Sequence, residues 1–169
     1  MIILVMGTTG SGKTTVGRLL ALRLSWEFSD GDDFHSAGNK EKMRQGIALS
    51  DQDRGPWLAA IRDQMANWIA ENKNGVMACS ALKRSYREVL LSPNANAAAN
   101  TKEIRIVYLR GTYQLIAERL HTRAGHFAGE TLLASQFASL EEPSDAVTID
   151  IDQTPEEIVE EVVRRLNLA

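Results

Sequence analysis

The sequence has 169 residues, 44% of them hydrophobic and 24% charged, a composition typical of globular proteins that excludes a fibrous or disordered chain. Its formal net charge is −3, so the chain as a whole is not attracted to nucleic acid or to an anionic membrane, and neither is expected as a partner. The single cysteine, Cys79, excludes an intrachain disulfide. The lack of a long apolar run predicts a cytoplasmic protein. The length predicts one domain, residues 1–169.

The first predicted strand, residues 2–6, leads directly into residues 7–14, which match the pattern G-x-x-x-x-G-K-[ST] of a phosphate-binding loop. Glycines let successive backbone N–H groups turn inward on phosphate oxygens, where a side chain would collide. We expect Lys13 to reach the β- and γ-phosphates of a nucleotide, the Thr14 hydroxyl to bind Mg²⁺, and the following helix to point its positive end at the phosphates. The predicted nucleotide-binding residues of this segment, the phosphate loop, are Gly7, Thr8, Thr9, Gly10, Ser11, Gly12, Lys13, Thr14 and Thr15.

A second strand-like run, residues 26–28, leads into the acidic segment Asp30-Gly31-Asp32-Asp33-Phe34-His35. Ligands bind at the carboxyl edge of an open parallel sheet, so this segment is expected beside the nucleotide. Alternation would put Asp30 and Asp32 on the same side if the strand geometry continued. One carboxylate could then anchor the water shell of the metal while the other accepts the proton of an attacking hydroxyl group. The alternative interpretation is a solvated acidic turn.

The clearest predicted helix covers residues 53–71, with Pro56 in its first turn and an apolar face formed by Trp57, Leu58, Ile61, Met65, Trp68 and Ile69. The strand after it runs into Ser80-Ala81-Leu82-Lys83 and carries no acidic residue at its end. Strand-like runs therefore alternate with helical stretches, which predicts an α/β fold with a parallel sheet. The other predicted elements are strands at residues 76–79, 104–109 and 146–151, a surface loop at 92–101, and a last helix beginning near Thr154.

Three arginines are candidates for binding anions. Arg54 could grip a substrate carboxylate with its planar fork of donors, although an ion pair with Asp51 or Asp53 would also explain it. Arg119 and Arg123 are spaced to share one helix face, and Arg123 precedes Gly125-His126-Phe127, a segment suited to a flexible lid. Such arginines can neutralise charge on a transferred phosphoryl group, but a solvated helix face would explain Arg119 almost equally well.

With these segments the chain resembles the gluconate kinase family, small P-loop kinases related in fold to shikimate kinases and nucleoside monophosphate kinases. The likeness covers essentially the whole chain. Two departures are Ser36, where the family usually has proline and a looser turn is expected, and Ala128-Gly129, which replaces a Met-Pro-like pair and could alter lid closure. The matching segments are Asp30-Gly31-Asp32, His35, Asn39, Glu41-Lys42-Met43, Gly46, Leu49, Asp51, Asp53-Arg54, Pro56-Trp57-Leu58, Cys79 to Lys83, Tyr86-Arg87, Arg119, Arg123, Gly125-His126-Phe127, Ser135-Gln136-Phe137 and Leu140 to Pro143.

The resemblance implies a five-stranded parallel sheet flanked by helices, a mobile lid at about residues 119–136, and a homodimer. It also implies transfer of the γ-phosphoryl group of ATP, with Mg²⁺, to a primary hydroxyl group of D-gluconate. Asp32 would face that hydroxyl group and Asp30 would help to hold the metal. The remaining implied roles are phosphate contacts for Lys13, Arg119 and Arg123, and contacts to the polar end of the sugar acid for His35, Arg54 and Lys83.

Three alternatives stay open. A shikimate-kinase-like or other small-metabolite kinase is separated from this interpretation by Ser80-Ala81-Leu82-Lys83 and by Gly125-His126-Phe127. A GTPase-like switch would need an Asn-Lys-x-Asp signature, and residues 72–75 lack the aspartate. A non-catalytic nucleotide-binding regulator is disfavoured because both acidic positions, Asp30 and Asp32, are present.

Overall fold

Five parallel strands form the centre of the protein in a computed structural model that describes residues 1–92, 104–124 and 128–168, without the side chains of 123, 124 and 128–130. The strands are β1 (Ile2–Met6), β2 (Glu27–Asp30), β3 (Gly75–Ala78), β4 (Ile104–Arg110) and β5 (Val147–Asp150). The sheet order is β2-β3-β1-β4-β5, and each neighbouring pair of strands is parallel. This confirms the α/β class and the five-stranded sheet.

Helices connect the strands and cover both faces of the sheet. They are α1 (Lys13–Leu24), α2 (Ala37–Arg44), α3 (Asp51–Ala70), α4 (Arg84–Leu91), α5 (Tyr113–Ala124), α6 (Ala128–Ser139) and α7 (Pro155–Arg165). The apolar residues of β1 alternate between the two faces: Ile3 and Val5 pack towards α1 and α7, and Ile2, Leu4 and Met6 pack towards α3 and α4. In the described part of the chain no helix combines the length and apolar character needed to cross a membrane.

The start of α3 differs from the prediction. A capping box begins the helix at Asp51, because the Ser50 hydroxyl accepts from the Asp53 N–H at 3.1 Å and the Asp53 carboxylate accepts from the Ser50 N–H at 3.0 Å. Pro56 therefore lies inside the helix, and its predicted place in the first turn is wrong. The helix tolerates it because Gln52, whose carbonyl would have accepted from an N–H at position 56, is exposed to solvent.

The apolar face of α3 is buried as predicted. Trp57, Leu58, Ile61, Met65 and Trp68 all lie in the core on one side of the sheet, and Ile69 is half-buried against it. Gly75 at the start of β3 allows Trp68 to pack there, since a Cβ atom on Gly75 would lie 2.4 Å from the indole. α3 is thereby fixed on the sheet, and its first turns project beyond the carboxyl ends of β2 and β3.

Candidate active site

The phosphate loop lies at the carboxyl end of β1, between β3 and β4, where the order of the strands reverses direction. Gly10 and Gly12 have positive φ angles of 75° and 93°, which L-residues rarely adopt. A Cβ atom on Gly10 would also lie 2.9 Å from Ile116 and 3.0 Å from Leu120, so α5 packs directly against the loop. The two glycines therefore meet different needs: Gly12 the turn, and Gly10 both the turn and the close approach of α5.

Two residues of the phosphate loop, Thr8 and Ser11, are buried. Ser11 is only 1% exposed, and its hydroxyl makes no hydrogen bond within the described residues. Thr8 is also buried, and its carbonyl accepts from Lys13 Nζ at 2.8 Å. A buried hydroxyl group without a partner is costly, so Ser11 is placed for a ligand that the loop would enclose.

Lys13 lies close to both predicted carboxylates. Burial lowers the pKa of its ammonium group, and the nearby Asp32 carboxylate, followed by Cys79 and Asp30, opposes that effect. The structure therefore brings Lys13, Asp30 and Asp32 together at one edge of the sheet, as predicted. Burial raises the pKa of the Cys79 thiol to about 12, so this cysteine is protonated at neutral pH and is not a nucleophile.

Asp30 and Asp32 reach this position by a different route from the one predicted. β2 ends at Asp30, and residues Gly31–Phe34 form a short 3₁₀ helix. The expectation that both carboxylates share one side of a continuing strand is therefore wrong. Instead Asp30 caps the 3₁₀ helix by accepting from the Asp32 N–H at 3.0 Å, and its second oxygen accepts from the Thr14 hydroxyl at 2.6 Å.

Thr14 and Asp30 thus form the hydroxyl–carboxylate pair that the sequence predicts for a metal. Among the described residues no cluster of three or more His, Cys, Asp or Glu side chains could hold a metal ion. Mg²⁺ fits such a site, because it usually keeps several waters and is held by one or two carboxylates together with phosphate oxygens. Thr15, on the first turn of α1, is exposed.

His35 follows the 3₁₀ helix and is buried against α3. Its ring stacks on Trp57 with centroids 4.3 Å apart, while Trp57 Nε1 donates to the Gly31 carbonyl at 2.7 Å. Burial lowers the pKa of His35 and the Asp32 carboxylate opposes it, so the ring is neutral at pH 7. Its Nδ1 atom is buried and has no hydrogen-bond partner in the described residues. The 3₁₀ helix is therefore held between Asp30 and Trp57, with His35 beside Asp32.

Ser36, a departure from the gluconate kinase pattern, does not loosen the turn that follows His35. Its hydroxyl accepts from the Asn39 N–H at 3.1 Å and caps α2. Asn39 is buried and donates through its side chain to the Asp53 carbonyl at 3.0 Å, which ties α2 to the first turn of α3. The expected looser turn is wrong, because serine supplies the cap acceptor that proline lacks.

Arg54 and Lys83 converge on Asp51. Lys83 Nζ donates to Asp51 at 3.1 Å, Arg54 lies 4.0 Å from the same carboxylate, and the Tyr86 hydroxyl donates to it. Both cations also lie over the Tyr86 ring, at 5.6 Å for Arg54 and 5.3 Å for Lys83. The hydrogen bond from Tyr86, followed by that from Lys83, lowers the pKa of Asp51.

The ion pair of Arg54 with Asp51, weighed as an alternative from the sequence, is therefore present, and Lys83 shares it. We call His35, Asp51, Arg54, Lys83 and Tyr86 the acceptor cluster. It lies beside the 3₁₀ helix, because His35 directly follows that helix and the charge of Arg54 helps to lower the pKa of His35.

The structure describes the side chain of Arg119 on α5 but not that of Arg123. Arg119 is half-buried and its guanidinium donates to the Ile151 carbonyl, just after β5, so it is not a freely solvated side chain. Arg123 belongs to the last turn of α5, and its side chain lies outside the described residues, as do residues 125–127 and 93–103. The predicted surface loop at 92–101 falls almost entirely in the latter range.

Sequence reasoning gave no role in nucleotide or substrate binding to Gln136 or to Asp51. The Gln136 side chain accepts from the Thr9 N–H of the phosphate loop at 2.6 Å, although the two residues are 127 positions apart. Asp51 was considered only as an ion-pair partner for Arg54. Neither lies in a local motif, so the resemblance to a family, which includes both positions, was the only signal available.

Comparison with known proteins agrees with this architecture. The family model described as Shikimate kinase matches residues 9–167. A mouse protein named probable gluconokinase is 41% identical, covering 98% of this chain and 97% of its own length. A solved gluconokinase from Sinorhizobium meliloti 1021 is 40% identical with a TM-score of 0.84, over 98% of this chain and 90% of its own. A solved shikimate kinase from Aquifex aeolicus has a TM-score of 0.58 at 18% identity, which shows a shared fold alone.

Proposed function

Since the chain belongs to the gluconokinase family of P-loop kinases, we propose that it transfers the γ-phosphoryl group of ATP to the 6-hydroxyl group of D-gluconate, giving 6-phospho-D-gluconate and ADP. The observation that carries this proposal is the position of Asp32: its carboxylate lies near Lys13, where its charge opposes the lowering of the pKa of that ammonium group by burial, and it is exposed towards solvent at the sheet edge. A base beside the phosphate-binding lysine is what phosphoryl transfer to an alcohol requires.

The phosphate loop supports ATP as the donor and Mg²⁺ as its metal. The unpartnered Ser11 hydroxyl, the left-handed Gly10 and Gly12, and the N-terminus of α1 form a cradle with hydrogen-bond donors and no acidic side chain of its own. Thr14 and Asp30 would hold the metal ion, directly or through water. When bound, Mg²⁺ draws negative charge from the phosphate oxygens and so eases departure of ADP.

In the proposed step Asp32 accepts the proton of the acceptor hydroxyl while the hydroxyl oxygen forms a bond to the γ-phosphorus. The bond from that phosphorus to the β–γ bridging oxygen breaks, and ADP leaves with the electron pair. Lys13 stays on the β- and γ-phosphate oxygens, where its charge counters the charge that develops on the leaving group. Little covalent chemistry is asked of the protein, so its contribution is positioning and electrostatics.

The acceptor cluster supports a carboxylate-bearing substrate. Arg54 and Lys83 place two cations beside one carboxylate, that of Asp51, which belongs to the protein itself. A sugar-acid carboxylate would bind the outer face of the same cations, and His35, neutral at pH 7, would donate to or accept from a substrate hydroxyl group. Arg119 and Arg123 are proposed to contact the phosphates from α5, as a part of a lid at about residues 119–136 whose movement would be confined to the part before Leu133, since Leu133 is buried in the core.

One panel of assays tests the activity. Gluconate, shikimate and nucleoside monophosphates are each supplied with Mg·ATP, ADP is measured, and the product is identified by ³¹P NMR. We expect ADP formation only with gluconate, together with a phosphomonoester signal. Preference for shikimate would favour the second candidate, to which the match with the Shikimate kinase model at residues 9–167 points. ATP binding without turnover on any acceptor would indicate a nucleotide-binding regulator.

The assembly state is proposed on resemblance alone. A homodimer is expected, and light scattering at several protein concentrations measures it directly. A constant mass near 18.7 kDa, the mass of one chain, would contradict it.

A further inference from the structure

We infer that Gln136 is a positioning residue for the phosphate loop, holding the Thr9 N–H so that the remaining N–H groups of the loop point to the nucleotide. The bond from the Thr9 N–H to Gln136 Oε1 is 2.6 Å long and partly buried, and it links α6 to the loop across most of the chain. This inference rests on the proposed nucleotide-binding role of the loop, but not on the identity of the acceptor.

The hydrogen bonds of the loop divide its N–H groups into two sets. Thr9 donates to Gln136, and Ser11 donates to the Thr8 carbonyl at 3.2 Å. The N–H groups of Gly10, Gly12, Lys13 and Thr14 make no hydrogen bond to any part of the chain that the structure describes. The first set shapes the turn and the second set is available for an anion. Within the described residues, Gln136 is the only side chain that accepts from an N–H group of the first set.

α6 is itself fixed by contacts that do not involve Gln136. Leu133 is fully buried in the core, and the Phe137 ring packs edge-on against Tyr113 with centroids 5.4 Å apart. Just after the helix, the Glu141 N–H donates to the Leu82 carbonyl at 2.9 Å and the Glu141 carboxylate accepts from the Arg84 N–H. The helix is therefore a firm support, and the Gln136 bond transmits its position to the loop rather than the reverse.

The same support touches the acceptor side of the site. Leu82 and Arg84, which bond to Glu141, flank Lys83 of the acceptor cluster. Gln136 near the end of α6 and Glu141 just after that helix therefore tie the phosphate loop and the neighbours of Lys83 to one stretch of chain. A nucleotide site and an acceptor site held from one stretch of chain keep a constant separation, which favours in-line transfer.

The opposite role is also chemically possible. Gln136 Oε1 occupies an N–H group that a phosphate oxygen could accept from, so Gln136 could compete with the nucleotide. The two roles differ in sign: loss of a positioning residue weakens nucleotide binding, whereas loss of a competitor tightens it. The firm seating of α6 favours the positioning role, because a preorganised loop loses less entropy when the nucleotide binds.

The test uses the full chain without any acceptor. Gln136→Met keeps the length of the side chain and removes the acceptor oxygen. The matched control is Gln114→Met on α5, whose side chain is exposed and, within the part of the chain that the structure describes, bonds only to Glu118. The dissociation constant of Mg·ADP is measured by calorimetry, and exchange of the Thr9 amide hydrogen by NMR. We expect Gln136→Met to raise the dissociation constant about threefold to tenfold, as one hydrogen bond allows, and to speed Thr9 exchange, with no change in the control.

Two further measurements separate positioning from a merely structural role. Gln136→Glu keeps an acceptor oxygen, so Thr9 exchange should stay slow in that variant. In steady-state assays Gln136→Met should raise KM for ATP by the same factor as the dissociation constant and leave KM for the acceptor unchanged. An unchanged or lower dissociation constant for Mg·ADP in Gln136→Met would overturn the inference. If Gln136→Met does not fold, Gln136→Asn, too short to reach Thr9, takes its place.

Discussion

The phosphate loop is one continuous segment, whereas the acceptor cluster gathers side chains from the residue after the 3₁₀ helix, the start of α3, the connection between β3 and α4, and α4 itself. In the loop Thr8 and Ser11 are buried, and backbone geometry sets the shape. In the cluster the side chains of Arg54, Lys83 and Asp51 are 30%, 34% and 68% exposed and are joined by ion pairs. The two regions thus supply the donor and acceptor halves of the site by different means.

This difference in burial and packing indicates which half of the site can change its contacts without disturbing the fold. Exposed ion pairs contribute only about 0–1 kcal/mol to stability, so the contacts of Arg54 and Lys83 to Asp51 can loosen while a substrate carboxylate binds their outer face, at little cost to the fold. The loop has no such freedom, because Gly10 contacts α5 directly and a side chain there would collide with Ile116. Changes in the loop should therefore abolish the chemistry, and changes in the cluster should alter the choice of substrate.

The largest effect is expected from Lys13→Ala. It removes the side-chain cation that the loop places on the β- and γ-phosphates, so turnover should fall by on the order of 10³–10⁵. The steady-state ATPase-coupled assay measures this, with Lys73→Ala as control because that exposed lysine pairs, among the described residues, only with Glu71 and Glu27. The melting temperature should stay close to that of the wild type. A folded variant with near-normal turnover would refute the role of the loop.

Asp32→Asn should have the next largest effect, because the amide keeps the shape of the side chain and loses the proton acceptor. We expect kcat to fall about 10²–10⁴-fold with ATP affinity retained. Asp30→Asn should instead raise the Mg²⁺ concentration needed for half-maximal rate, because Asp30 bonds to Thr14. The neighbouring exposed Asp33→Asn is the control for charge. Equal Mg²⁺ profiles for the Asp30 and Asp32 variants would mean that the two roles are shared or reversed.

These two regions also show what sequence could predict. The loop is encoded by consecutive residues whose backbone requirements are local, so its site residues and the strand before it follow from the motif. Asp30 and Asp32 were assigned to the right edge of the sheet but to the wrong geometry, because a cap from Asp30 to the Asp32 N–H turns the chain out of the strand. Pro56 was misplaced for a similar reason, since Ser50 starts α3 earlier.

The acceptor cluster was only partly predictable. Arg54 and Lys83 were named from the resemblance, but their shared partner Asp51 depends on how α3 and the β3–α4 connection pack, which no local pattern encodes. The contact of Gln136 was even less predictable from local sequence, because its partner Thr9 lies 127 positions away. Local motifs thus predict the donor half of the site, and tertiary packing decides the acceptor half.

Arg54→Met tests whether the cluster sets the substrate. Loss of a charged hydrogen-bonding partner should raise KM for gluconate about tenfold to a hundredfold and leave KM for ATP unchanged. Comparing gluconate with the neutral polyol sorbitol in both proteins sharpens the test, because the preference for the acid should shrink in the variant. Arg62→Met, whose partner Asp63 is a neighbour in sequence, serves as the control. An unchanged preference would leave Arg54 only a structural role, through its ion pair with Asp51 and its hydrogen bond to the Leu49 carbonyl.

Arg123→Lys asks whether α5 acts on the transferred phosphoryl group. Charge spreads onto the equatorial oxygens as the bond to the leaving oxygen loosens, and lysine cannot reproduce the planar fork of arginine. We expect kcat and kcat/KM for gluconate to fall together about tenfold, while the dissociation constant of a non-hydrolysable ATP analogue changes little. The control is Arg23→Lys on α1, which pairs with Glu160. Loss of analogue affinity with normal kcat would instead make Arg123 a ground-state clamp.

The smallest effect is expected from Ser36→Ala, which tests how firmly the acceptor half is built. The Ser36 hydroxyl caps α2 by accepting from the Asn39 N–H, and the buried Asn39 side chain ties α2 to α3 beside Arg54. Losing the cap should cost about 1 kcal/mol, which lowers the melting temperature by roughly 2–4 °C for a chain of this size. Ser36→Asp keeps an acceptor and should melt like the wild type, whereas Ser36→Pro should behave like the alanine variant or worse. If all three variants melt alike, the cap is not formed in solution. If Ser36→Ala also raises KM for gluconate, then α2 positions the cluster, and the acceptor half depends on local caps as well as on long-range packing.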